Sequence, residues 1–387
     1  MFEISDNLRS LPPYLFVEID KAKRKARAEG RDVIDFGIGD PDQPTPEYII
    51  EELCRAARDP ANHRYALDQG IPLLREAVCL WYKERFSVAI DREKEVLPLI
   101  GSKEGIAHFP SAFLNSGDYS LIPDPCYPPY KGGTILAGGR THLMPLKEEN
   151  SFLPDLKEIP SSILKKSRIV YLNYPNNPTG RIAEKEFLAE AVAFALKHGL
   201  ILVSDLAYSE MAYDGYKPAS MLEVEGAKDC VIEFHSLSKT CNMTGWRVGW
   251  ACGNPVLVSA LAKVKSNIDS GIFTALQYAG AAALKNSGAQ AAKMSALYQE
   301  RRDILVNGLR SLGWDVYSPK ATFYLWFRVP DKQKNSMEFA AYLLEKADII
   351  VTPGVGFGVN GEGYLRMALT VPAERIKEAL KRMERLR

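Results

Sequence analysis

The sequence predicts an α/β fold: a mostly parallel sheet between two layers of helices, with a smaller α+β unit attached. Two patterns predict it. Short apolar runs alternate with helical stretches through residues 96–252, and that alternation encodes a parallel sheet with helices on both faces. Ser102, Tyr127, Asn177, Asp205 and Lys239 each fall just after a predicted strand, at the end of such sheets where ligands bind. The chain has 387 residues, more than the roughly 100–200 of one domain. The expected division is an N-terminal arm over 1–45, a large unit over 46–285 and a C-terminal unit over 286–387.

Composition narrows the function. Lys and Arg number 49 against 48 Asp and Glu, a formal charge of +1. So balanced a surface offers no electrostatic footing for nucleic acid or an anionic membrane. No apolar run approaches the roughly 20 residues of a membrane span. Met1-Phe2-Glu3-Ile4-Ser5-Asp6 lacks the basic-then-apolar pattern of a secretion signal, so a cytoplasmic protein is expected. Six cysteines, at 54, 79, 126, 230, 241 and 252, form no Cys-x-x-Cys pair. They read as reduced thiols, with no metal site.

Taken in order, Leu11-Pro12-Pro13-Tyr14-Leu15-Phe16 is a stiff, extended entry to a helix over about 17–29. Asp35-Phe36-Gly37-Ile38-Gly39-Asp40 reads as a strand running into a turn. Gly37 and Gly39 permit close backbone approach to a ligand, although a plain strand-to-loop transition has the same pattern. Thr45-Pro46-Glu47 opens a helix with a hydroxyl cap and an early proline. Tyr65 follows in a loop, His63-Arg64-Tyr65-Ala66. Val96-Leu97-Pro98-Leu99-Ile100 is a strand, and Gly101-Ser102-Lys103-Glu104-Gly105 turns into a helix over about 106–114. A Gly-Ser step at a helix start suits a phosphate, because free N–H groups and the dipole both favour an anion. Lys103 is either a second charge near a substrate carboxylate or only a helix-start cation.

Strands are expected at 119–122, 140–144 and 169–172. The first leads to Asp124-Pro125-Cys126-Tyr127, and the last to Asn176-Asn177-Pro178-Thr179-Gly180, a turn signal in itself. A helix over 184–198 stops at Gly199, and a strand from Leu200 runs into Ser204-Asp205-Leu206-Ala207-Tyr208. A carboxylate at the end of a buried strand costs free energy unless it is paired. Asp205 therefore meets a cation or caps a helix.

Val231-Ile232-Glu233-Phe234-His235 is a further buried strand. It leads to Ser236-Leu237-Ser238-Lys239, with Gly245-Trp246-Arg247-Val248-Gly249 close behind. A lysine there is poorly placed for packing. It is well placed for Schiff-base chemistry if burial or a neighbouring cation lowers its pKa. Arg247 is such a cation, and with Ser236 and Ser238 it can hold a phosphate. An ordinary surface lysine is the bland alternative. Beyond Pro255 come helices over about 260–265, 272–286, 288–312 and 372–386. Strands are expected at 314–317, 323–327, 349–352 and 363–368. Arg366, between apolar residues of the last strand, snorkels or binds an anion.

The segment around Lys239 and Arg247, the Asn-Pro-Thr-Gly element at 177–180 and Asp205 with Tyr208 resemble the fold-type I, pyridoxal-phosphate-dependent aminotransferases of class I/II. The resemblance runs in the right order over nearly the whole chain. It implies a large domain on a seven-stranded sheet, a smaller domain, pyridoxal 5'-phosphate as cofactor and a homodimer with shared active sites. In it Lys239 carries the cofactor and moves the proton, and Asp205 pairs with the pyridinium. Tyr127 stacks on the ring, while Asn177 and Tyr208 bond its phenolic oxygen. Ser102, Ser236, Ser238 and Arg247 hold the phosphate beside Lys103, joined by Tyr65 from the partner subunit. Arg366 clamps the substrate's α-carboxylate, the Gly39 backbone meets it, and Asn267 or Ser270 lines the partner's site. The substrates implied are an amino acid and a 2-oxo acid. Residues 11–16, 101–105 and 267–271 are most similar to the LL-diaminopimelate aminotransferases. That group serves lysine biosynthesis, and in it Tyr14 would cover the substrate and Lys103 would meet a second carboxylate. Aminotransferases for alanine, aspartate or aromatic amino acids share the cofactor motifs. So do carbon–sulfur lyases and binding proteins of this fold, although the intact Lys239 speaks against a protein without turnover.

Overall fold

The computed structural model describes residues 2–12, 15–66, 69–331 and 334–386. The arm contributes a two-residue strand, β1 (Ile34–Asp35). Seven strands then build one sheet: β2 (Val96–Leu99), β3 (Tyr119–Asp124), β4 (Arg140–Pro145), β5 (Ser167–Leu172), β6 (Ile201–Asp205), β7 (Val231–Ser236) and β8 (Gly249–Gly253). Their order is β2-β8-β7-β6-β5-β3-β4. Only β8 runs against its neighbours, β2 and β7; the other pairs are parallel.

Alternating side chains divide the core of this sheet between two sides. Ile169 and Tyr171 of β5 join one apolar cluster, and Val170 and Leu172 join the other, as a two-residue side-chain period requires. Both sides are covered, so β7 is buried along its whole length. Local signals end the helices between strands. Gly199 closes Lys185–His198 at φ 63, and the Asn254 side chain caps Pro255–Lys265 by accepting two backbone N–H groups.

The second unit has three antiparallel strands, β9 (Tyr324–Arg328), β11 (Thr352–Pro353) and β12 (Tyr364–Ala368), with β12 in the centre. β10 (Ile349–Ile350) pairs with β1 in parallel, which ties the arm to this unit. Its core joins Phe36, Leu325, Leu365 and Met367 to Leu305 and Leu309 of the helix Ser287–Ser311. Tyr208 and Met211, just past β6, insert into the same core. The end of the large sheet therefore sits against the second unit.

Five expectations need correction. Thr45 does not cap the helix Glu47–Ala57: Pro46 holds the cap position with no side-chain bond, and the Thr45 hydroxyl donates to the Asn242 carbonyl at 2.8 Å. The helix expected over about 260–265 begins at Pro255, where the Asn254 cap starts it. The helix after Gly101 begins at Ser102 and ends at His108, followed by a 3-10 turn over Phe109–Ala112. Gly101 reverses the chain at once with φ 77, and Pro110 cannot continue the α-helical bonding. Residues 314–317 form no strand; Val316 makes only an isolated bridge to Phe327. The run 349–352 splits between two sheets, with Val351 at the break. The helix Pro72–Phe86, which buries Leu74, Val78, Trp81 and Tyr82, was not foreseen. Among the described residues no helix is long and apolar enough to cross a membrane.

Candidate active site

Lys239 stands three residues beyond Ser236, the last residue of β7, in a one-turn helix over Leu237–Thr240. The Ser236 hydroxyl caps that turn by accepting the Ser238 N–H at 3.1 Å. Lys239 lines a pocket of about 440 Å³, and Ser102, Tyr127, Asn177, Asp205 and Tyr208 share its wall. Its Nζ donates to the Gly39 carbonyl at 2.7 Å. Burial pushes its pKa down to about 8; Asp40 opposes the shift, while Arg366 and Arg247 add to it. An ordinary surface lysine has neither the burial nor the two nearby guanidinium groups.

Asp205, at the carboxyl end of β6, caps no helix. It is 5% exposed, and its Oδ2 accepts from the Tyr130 hydroxyl at 2.7 Å. Oδ1 is buried and closes no hydrogen bond. Burial raises its pKa to about 6, against the pull of the Tyr130 hydroxyl and the nearby Ala207 amide. Such a carboxylate lacks a partner on one oxygen, and a cation facing Oδ1 would complete it. Asn173 anchors the next strand end by donating to the Asp205 carbonyl at 2.7 Å and accepting the Asn177 N–H at 2.8 Å.

The same pocket holds donors for an anion. Ser102, Ser236, Ser238 and Arg247 all line it. Arg247 has a left-handed backbone, φ 58, and its Nη1 donates to the Thr244 carbonyl at 2.8 Å. Gly101 is required here: its φ is 77, and a Cβ would lie 2.2 Å from Arg247 Nη2. Three hydroxyls and a guanidinium suit a phosphate.

Arg366, in the middle of β12, is 2% exposed. It donates from Nη1 to Asn177 Oδ1 at 2.8 Å and from Nη2 to the Gly37 carbonyl at 2.9 Å. Two rings flank its guanidinium, Tyr324 at 4.1 Å and Phe357 at 4.6 Å. Tyr324 also meets the Tyr208 hydroxyl at 3.2 Å. Burial holds the Tyr208 phenol well above its usual pKa, so it stays protonated. A Cβ on Gly39 would lie 1.9 Å from the Tyr324 hydroxyl. The glycine there serves a close approach to a side chain, which the strand-to-loop alternative does not require.

One chain gathers most of the expected residues, including the exposed Lys103, but not all of them. Tyr65 is 89% exposed and shares a separate surface depression with Ser270, Ile272 and Phe273. Asn267 turns back to donate to the Lys263 carbonyl. Tyr14 lies outside the described residues. Tyr130, Asn173, Tyr324 and Phe357 were missed. Asn173 directly follows the strand expected at 169–172 and Tyr130 stands three residues past Tyr127, whereas Tyr324 and Phe357 carried no local signal beyond strand and loop.

The site fits pyridoxal 5'-phosphate: one pocket gathers a buried carboxylate with an open oxygen, a phosphate donor set and a lysine of lowered pKa. Residues 31–383 match the family described as aminotransferase class I and II. The chain is 53% identical over 382 residues to the LL-diaminopimelate aminotransferase of Halothermothrix orenii, covering 99% of this chain and 98% of that one. It is 51% identical over 379 residues to the enzyme of that name from Moorella thermoacetica, covering 98% and 97%. The structure of substrate-bound BacF from Bacillus subtilis superposes with a TM-score of 0.97 at 38% identity, covering 100% and 98%. This chain therefore belongs to the class I and II aminotransferases, a family of pyridoxal-phosphate-dependent enzymes.

Proposed function

We propose that the enzyme moves an amino group between LL-2,6-diaminopimelate and 2-oxoglutarate. The placement of Lys239 carries the chemistry: a lysine of lowered pKa lines one pocket with an acid and anion donors. The named relatives, at 51–53% identity, supply the substrate. When bound, pyridoxal phosphate supplies an electron-withdrawing ring and a carbonyl carbon that takes the amino group. The Lys239 amine then carries a proton between the substrate's α-carbon and C4' of the cofactor. Asp205, with its open Oδ1, would hold the ring nitrogen and keep it protonated. Tyr127 would pack on the ring, and Tyr208 and Asn177 would bond its phenolic oxygen. Ser102, Ser236, Ser238 and Arg247 bind the phosphate. Arg366 binds the α-carboxylate next to the Gly39 backbone. The deciding experiment is a panel of amino donors, LL- and meso-diaminopimelate among them, assayed with 2-oxoglutarate. No turnover of the LL isomer removes the substrate assignment. Pyruvate and sulfide released from cysteine indicate a lyase instead.

Lys103 is exposed and lines the pocket mouth. Its proposed role is to meet the far carboxylate of diaminopimelate, with Tyr14 closing over it. Lys103→Gln then raises KM for LL-diaminopimelate about tenfold or more over its effect on glutamate, the loss of a charged hydrogen bond worth roughly 1.5–3 kcal/mol. Paired steady-state kinetics with both donors check this; equal effects refute it.

The proposed assembly is a homodimer with shared sites. Tyr65 and Ser270 lie in one surface depression, and Ile268 and Phe273 nearby are 53% and 44% exposed. Sedimentation at assay concentration is expected to give a dimer, and a fully active monomer contradicts it.

A further inference from the structure

The loop between β11 and β12 belongs to the second unit, yet it is fastened to the large sheet. Asp124, the last residue of β3, is 2% exposed. Its Oδ2 accepts the Asn360 backbone N–H at 2.9 Å and the Asn360 side-chain amide as well. Gly358, at φ 142, crosses so close to the same carboxylate that a Cβ would lie 1.4 Å from Oδ1. The Cys126 N–H donates to the Phe357 carbonyl at 2.9 Å. Burial raises the Asp124 pKa, and both Asn360 donors, with Lys131, pull it back. A buried carboxyl is costly without such donors, and an apolar residue would pack at this strand end without them.

The fastening acts on Phe357. Its ring is 3% exposed, packs edge-on against Trp326 at 6.1 Å and lines the pocket. It meets the Arg366 guanidinium, with Tyr324 as the second ring. Arg366 has therefore two aromatic neighbours from the second unit, and one depends on a loop that is held by the large sheet.

We infer that Asp124 and Asn360 form a latch between the two units that holds Phe357 against Arg366 and so orients the arginine for the substrate's α-carboxylate. The inference rests on the reading of Arg366 as the carboxylate clamp. Both latch residues are positioning residues. Because every amino-acid substrate has an α-carboxylate, loosening the latch raises KM for all donors by the same factor and leaves kcat nearly unchanged.

The test uses the cofactor-loaded enzyme and glutarate, a dicarboxylate with no amino group to transfer, titrated by the change in cofactor absorbance. Asn360→Asp sets two carboxylates against each other. It is expected to weaken glutarate binding about tenfold or more, with kcat within about twofold of wild type. Asn360→Ala, an exposed loop position, gives the weakening without new charge, should the first variant fold poorly. Wild-type glutarate affinity in Asn360→Ala overturns the latch. Arg366→Gln separates the two readings. If it loses glutarate binding while the latch variants keep it, the latch alone fails; if it binds glutarate normally, the clamp fails and the latch with it.

Discussion

Lys239→Ala lowers turnover by about ten-thousandfold or more, the upper end of what a positioned acid–base group supplies and about 5.4 kcal/mol at the transition state. The reason is its place in the fold. β7 ends at Ser236, and one helical turn sets Lys239 into the pocket, with its amine against the Gly39 carbonyl. Among the described residues Lys103 is the one other lysine that lines the pocket, and it is exposed. Borohydride treatment gives a second readout: it fixes the cofactor covalently on the Lys239 peptide of the wild type and on no peptide of the variant. The pH dependence follows from the pKa of about 8. The neutral amine is the reactive form, so capture of added cofactor by the ligand-free enzyme speeds about tenfold per pH unit below 8 and levels above it. Turnover near wild type in Lys239→Ala, or capture that rises on toward pH 10, contradicts the assignment.

Asp205→Asn slows α-proton removal by about a hundredfold to a thousandfold, the size of losing one preorganised charge at a reacting centre. Asparagine keeps the shape and an oxygen for the Tyr130 hydroxyl, so the fold survives. What disappears is the charge that faces the ring nitrogen. Single-turnover rates with glutamate measure the loss, and unchanged rates leave Asp205 with a structural role. The ligand-free protein gives an independent check. Burial lifts the Asp205 pKa from 3.8 to about 6, so between those values the folded state holds a proton that the unfolded chain has released. Stability of the ligand-free wild type relative to Asp205→Asn therefore falls as pH rises from about 4 to about 6, by about 3 kcal/mol. Chemical denaturation of both proteins across that window tests the sign.

The sequence and the structure agree best where the code is local. A buried strand is a short apolar run, and a ligand-binding residue at its carboxyl end is the next polar side chain, so Asp205 and Ser236 were legible at once. The short helix around Lys239 has no periodic signal of its own, yet its lysine is legible, because the chemistry depends on residue type and spacing. The helix start at Ser102 was misplaced by about four residues: the left-handed φ of Gly101 reverses the chain with no change in hydrophobic pattern. The helix Pro72–Phe86 has buried residues at spacings near a helical turn, but polar residues such as Arg75 interrupt its face, and Arg75 itself is buried and paired with Glu93.

By itself, then, the sequence determined which residues stand at the strand ends, and its resemblance to the class I/II aminotransferases implied the cofactor and the class of reaction. Strand period, turn residues and the lysine–arginine spacing are properties of neighbours in the chain. Only the tertiary structure decided which distant residues complete the site. Tyr130 reaches Asp205 from 75 residues away, Tyr208 meets Tyr324 across 116, and Asn360 meets Asp124 across 236. The last two contacts arise when the second unit packs on the end of the large sheet, and the first when a helix of the large unit folds over that end; none leaves a periodic trace in either segment. For the same reason the side chains of Tyr65 and Ser270, which stand apart from the pocket within one chain, have their role decided by what packs against that face.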